Sequence, residues 1–105
     1  MLDEYSSVQR IESLIRLVKK GDPASLTQLR QKLGIGREEI AIKAGVSESQ
    51  LRHWELGEQQ PSSIQHTSWK LRLSDYIDEE ISELLGMDKG EIINQLWEIM
   101  WRLND

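Results

Sequence analysis

The sequence predicts an all-α protein, and three observations carry that expectation. Apolar residues recur at three- and four-residue spacing in several stretches, none alternates with the two-residue period of a strand, and glycine or proline interrupts the periodic runs. The two prolines, Pro23 and Pro61, each follow a glycine-bearing segment, KKGDP and ELGEQQP, and cut the chain into three pieces. At 105 residues the chain is sized for one core. The expectation is a single domain over 1–105: an N-terminal helix at 1–21, a compact core at 25–61 and C-terminal helices at 62–105.

In the first piece Val8, Ile11, Leu14 or Ile15, and Val18 fall at helical spacing, and Lys19, Lys20 and Gly21 suit the carbonyl end of a helix. The middle piece starts at Asp22 and Pro23, or at Ser25. It offers Leu26, Leu29, Leu33, Ile40, Ile42, Val46, Leu51 and Trp54 as apolar anchors, broken at Gly34, Gly36 and Gly45, which makes three short helices. The last piece shows Leu73, Ile77, Ile81, Leu84 and Leu85, a break at LGMDKG, and then Ile92, Ile93, Leu96, Ile99, Met100 and Leu103. Two further helices follow. Trp69 and Tyr76 belong either to the core or to an interface.

Composition removes several function classes. There is no cysteine, and His53 and His66 lie too far apart in a helical reading to share a metal, so neither a metal nor another cofactor is expected. The N-terminus mixes acids and bases and has no apolar block, and no apolar run reaches membrane-spanning length; a soluble, cytoplasmic protein is expected. No nucleophile and base can be paired from spacing, no phosphate-cradling glycine loop occurs, and DEEISE reads as a solvated helix face, so no enzyme is expected. The formal net charge of −5 is unevenly spread. Residues 1–61 hold nine basic and nine acidic residues, against four and nine in residues 62–105. A polyanion would meet the first part.

The segment REEIAIKAGVSESQLRHW, residues 37–54, reads as two helices joined by a tight turn. Ala41 sits where a second helix must cross, and a larger side chain would hold the axes apart. Gly45 falls at the first helix's end, where positive φ is wanted, and Val46 tucks under the turn. Ser47 caps the next helix and Glu48 complements its positive end. Leu51 and Trp54, three apart, face inward, which leaves Glu48, Ser49, Gln50 and His53 outside.

This pattern, IAIKAGVSESQLRHWELG, resembles the Xre, or lambda-repressor-like, family of helix-turn-helix DNA-binding domains over about residues 25–61. The resemblance implies that helix 47–56 enters the major groove of double-stranded DNA, with Glu48, Ser49, Gln50 and His53 at base edges. Gln50 is suited to adenine N6 and N7, Glu48 to cytosine N4, and Ser49 or His53 to several edges. It also implies an ion pair between Arg30 and Glu55. Arg37 stands where the family usually has a glutamine, after Gly36 in place of a serine or threonine cap, and is placed to meet a phosphate. With Ser47 at the helix start and the cations Arg37, Lys43 and Arg52, these residues make the implied DNA-contact set; a positive face around those three cations supports DNA binding, and an even or negative one supports a protein-interaction module. GEQQP lacks the family's basic residues beyond the recognition helix, so binding per monomer should be weak and its salt dependence shallow.

The same corner also occurs in proteins that never touch DNA, so a protein-interaction module, antitoxin-like or an adaptor, is the alternative to a sequence-specific transcriptional regulator. Trp54 reads as core rather than as a base reader. His53 and Glu48 each have a plainer reading, as a partly covered surface histidine and a helix-start carboxylate. In the last helix Ile92, Leu96, Ile99 and Leu103 form a heptad-like stripe that Trp97, Met100 and Trp101 widen. That breadth points to a homodimer contact presenting two recognition helices to paired half-sites, or to a protein partner; the plainer reading is a helix closing its own core.

Overall fold

The computed structural model describes residues 4–86 together with Trp97 and Trp101. Within them lie five α-helices and no strand: α1 Glu4–Lys20, α2 Pro23–Leu33, α3 Arg37–Ala44, α4 Glu48–Glu55 and α5 Ser63–Leu85. The protein is all-α over these residues. None of these helices is long and apolar enough to cross a membrane.

Local chemistry sets the boundaries. Asp22, the earlier of the two candidate starts, caps α2, accepting from the Ser25 backbone N–H at 3.3 Å and the Ser25 hydroxyl at 2.5 Å, with Pro23 at the first helical position. α3 starts at Gly36 with no side-chain cap. α5 begins ten residues before Leu73, the first anchor seen in the sequence. Its start is a capping box: Ser62 Oγ accepts from the Gln65 N–H at 3.1 Å, and Gln65 Oε1 accepts from the Ser62 N–H at 3.0 Å.

The core draws on every helix. Ile11, Leu14, Ile15 and Val18 of α1 meet Leu26 and Leu29 of α2, Ile40 and Ala41 of α3, and Leu51 and Trp54 of α4, all buried. Along α5 the buried residues Trp69, Leu73, Ile77 and Ile81 recur every four positions, so one face of this long helix backs α1, α2 and α3. Trp54 and Trp69 lie with ring centroids 5.6 Å apart and planes tilted by 37°, a pairing worth about 1 kcal/mol beyond its buried area. Trp69 is thereby core. Tyr76 is half-buried against it.

Two expected anchors face outward. Val8, one turn before Ile11, is 46% exposed and stands clear of the core. Ile42 is 71% exposed, because it lies about 200° around α3 from Ile40, and the helix buries the side that carries Ile40 and Ala41.

Candidate nucleic-acid interface

The corner between α3 and α4 is built by three residues. Gly45 adopts φ 75° and ψ 29°, and the N–H groups of Gly45 and Val46 return to the carbonyls of Ile42 and Ala41 at 3.2 and 3.0 Å. A Cβ at Gly45 would meet no atom within 4 Å, so glycine is favoured there by backbone conformation and not by space. Ser47 Oγ then accepts from the Gln50 N–H at 3.0 Å and starts α4. Ala41, Leu51 and Trp54 are buried beneath the corner. On the other side of α4, Glu48, Ser49 and Arg52 are exposed around a shallow depression, and Gln50 and His53 are half-buried.

Glu55 ends α4 as a buried hub, its side chain 1% exposed. Arg30 of α2 donates to it through Nε at 2.7 Å and Nη2 at 3.2 Å, and to the Ile35 carbonyl through Nη1 at 2.9 Å. Arg37, the first residue of α3, donates through Nε to the carboxylate at 2.9 Å. A lone buried charge is costly; here two guanidiniums supply opposite charge and fixed hydrogen-bond directions. The result locks the end of α4 to α2 and to the start of α3.

The cations of the expected DNA-contact set have different settings. Arg37 is committed to Glu55 but keeps its side chain 31% exposed. Lys43 lies over the Tyr76 ring, 4.5 Å from its centroid, at the seam of α3 and α5. Tyr76 donates its hydroxyl hydrogen to Glu39. The hydrogen bond to Tyr76 holds the Lys43 ammonium above its ordinary pKa, while burial first, and then the bond to Glu39, pushes the Tyr76 phenol up. Arg52 is exposed on α4 and has no ion pair with a described residue. His53 places Nδ1 2.7 Å from Glu58 Oε1.

The surface charge around the corner is mixed rather than positive. Exposed Glu38, Glu39, Glu48 and Glu58 share it with Arg37, Lys43 and Arg52. Arg16, Lys20 and Lys32 instead line a groove between α1 and α2, and Arg10 is tied to Glu80 of α5 at 2.8 Å and to the Lys32 carbonyl at 3.0 Å.

At the C-terminal side, Trp97 Nε1 donates to the buried carboxylate of Asp78 at 2.5 Å, and its ring stacks on Trp101 with centroids 6.0 Å apart. Lys19 sits 4.7 Å over the Trp101 ring. Trp97 thus packs on the core of its own chain. Ile92, Leu96, Ile99, Met100 and Leu103 lie outside the described residues.

Sequence reasoning missed Glu58 as the partner of His53 and Glu55 as the partner of Arg37. The first had a local signal, since a glycine at 57 allows the chain to fold an acid back over the last turn of a helix. The second is a contact through space with no sequence signature.

Among known proteins, the family model described as helix-turn-helix matches residues 26–64, which run from α2 through α3 and α4 to the first turn of α5. No curated protein and no solved structure matches the chain.

Proposed function

With residues 26–64 forming a helix-turn-helix domain of the Xre, lambda-repressor-like kind, we propose that the protein is a sequence-specific transcriptional regulator that lays the start of α4 in a DNA major groove. One observation carries this reading: the first turn of α4 is capped by Ser47 and exposed, on a frame that Glu55 locks from behind. Glu48, Ser49 and Gln50 then meet base edges, Gln50 suiting adenine and Glu48 the cytosine amine. Arg37 and Arg52 supply phosphate contacts, together with the free N–H groups at the uncapped start of α3.

So few cations give weak binding per monomer, and two copies on half-sites about 34–36 Å apart compensate. The C-terminal residues Ile92, Leu96, Ile99, Met100 and Leu103 are the proposed contact between the copies. The test is a selection from randomised duplexes at low salt with micromolar protein, repeated with Gln50→Ala. An enriched motif that changes at one position in the variant supports the reading, and no enrichment from the unaltered protein removes it.

The mixed charge around the corner favours a second reading, a module that holds another protein through the same scaffold. The two separate by salt: DNA affinity falls along a straight line in log–log coordinates with a slope set by the phosphates neutralised, and a protein held through the apolar C-terminal residues gives a nearly flat one.

A further inference from the structure

The two histidines are held by opposite ring nitrogens. His53 on α4 has Nδ1 2.7 Å from Glu58 Oε1, whereas His66 on α5 has Nε2 2.6 Å from the Gly21 carbonyl oxygen. A carboxylate and a carbonyl are acceptors only, so in each case the contacting nitrogen carries the proton. Neutral His53 is therefore the Nδ1–H tautomer with a bare lone pair on Nε2, and neutral His66 is the reverse.

The backbone sets the place of Glu58. Gly57 takes φ 76°, and the N–H groups of Glu58 and Gln59 both donate to the His53 carbonyl, at 2.9 and 3.3 Å. The chain beyond α4 thus folds back over its last turn and delivers the carboxylate to the imidazole. The His53 side chain stays 35% exposed, and no described residue bonds its Nε2. His53 also follows Ser49 by four residues and Gln50 by three, which puts it on their side of α4.

We propose that His53 is a specificity-determining residue whose tautomer, fixed by Glu58, makes Nε2 an acceptor for one base amino group in the major groove, adenine N6 or cytosine N4. The proposal rests on the DNA-binding reading above. Guanine O6 and N7, adenine N7 and thymine O4 are themselves acceptors and repel that lone pair. Glu58 is a positioning residue: it touches no base and acts by deciding which nitrogen holds the proton.

Two experiments on the full chain test this, and the first needs no DNA. Long-range proton–nitrogen correlation of the imidazole rings, at a pH where both are neutral, is expected to show opposite tautomers for the two histidines. Glu58→Ala should abolish the preference of His53 alone, and Glu58→Gln should keep it, because the amide oxygen still accepts. A His53 that is mainly Nε2–H overturns the proposal whether or not the protein binds DNA. The second experiment takes the selected duplex and finds the position whose preference His53→Ala loses. Deleting the exocyclic amine there, with purine for adenine or 2-pyrimidinone for cytosine, should weaken the unaltered protein about three- to tenfold and leave His53→Ala unaffected. Replacing purine N7 by carbon at that position should change neither. A selected motif that His53→Ala leaves intact, or a loss that follows N7 instead of the amine, overturns this inference and leaves the DNA reading standing. No selected motif overturns both.

Discussion

Arg37 and Glu55 meet at 2.9 Å, so the cation proposed to reach a phosphate at the start of α3 is also the second guanidinium on the carboxylate that ends α4. The proposed phosphate contact and the core electrostatics therefore share one side chain. Glu55→Gln is expected to destabilise the fold by about 3–5 kcal/mol, because it leaves the buried Arg30 guanidinium without its countercharge. Arg37→Ala should cost only about 1 kcal/mol, since Arg30 still covers the carboxylate and Arg37 is partly in water. Urea unfolding of the two variants checks the ordering. Equal losses would mean that removing Arg37 alone costs as much as removing the charge of Glu55, so that Arg30 does not cover the carboxylate by itself.

Asp22 offers a stability change with a definite pH window. The Ser25 hydroxyl holds its carboxyl below the ordinary carboxylate range, with the Ser25 backbone N–H helping and burial opposing. A depressed acid contributes stability that is present above the unfolded-state value, about 3.8, and is lost as pH falls through the lower folded value. Asp22→Ala should cost about 1 kcal/mol at neutral pH, typical of a helix cap. Thermal unfolding of variant and parent should converge below about pH 4. A gap that is unchanged at pH 3 would show that the ionised form is not what stabilises the cap.

How far the sequence foretold this structure differs from residue to residue, for a physical reason. The corner from Gly45 to Trp54 could be read because each requirement there is local: a positive φ, a cap, and a pair of apolar residues three apart. The early start of α5 was hidden because Ser62 and Gln65 look like loop residues until both halves of their reciprocal bond are seen. Charge was the least legible. The balance of nine against nine in residues 1–61 distributes on folding into a groove between α1 and α2 lined by Arg16, Lys20 and Lys32 with Glu12, and a mixed surface at α3 and α4. Where Arg37, Lys43 and His53 end up depends on Glu55, Tyr76 and Glu58, and helical periodicity says nothing about such partners.

The two glycines that flank α3 should respond oppositely to a side chain. Gly45→Ala forces an L-residue into the left-handed region and is expected to destabilise by about 1–2 kcal/mol, though its methyl meets nothing. Gly36 has φ −70° and ψ 149°, open space for a Cβ and no side-chain cap. Gly36→Ser should therefore stabilise by a few tenths of a kcal/mol. Chemical denaturation of both variants decides the matter, and a destabilised Gly36→Ser would show that the start of α3 is constrained by something other than its cap.

In the proposed DNA complex, salt dependence separates the two basic candidates Arg52 and Lys43 from each other and from the uncharged Gln50 by where the fold leaves them. Arg52 is exposed on the side of α4 that carries Glu48 and Ser49, so Arg52→Ala should lower both affinity and the slope of log affinity against log salt, the slope by about one unit if it neutralises one phosphate. Lys43 is held over Tyr76 at the seam with α5, and Lys43→Ala should leave affinity and slope where they were. Gln50→Ala removes a proposed base contact and no charge, so it should weaken the preferred duplex with the slope unchanged. Titrations at four or five salt concentrations distinguish these outcomes. A slope that falls with Lys43→Ala and not with Arg52→Ala would place the phosphates along the α3–α5 seam and take α4 out of the groove.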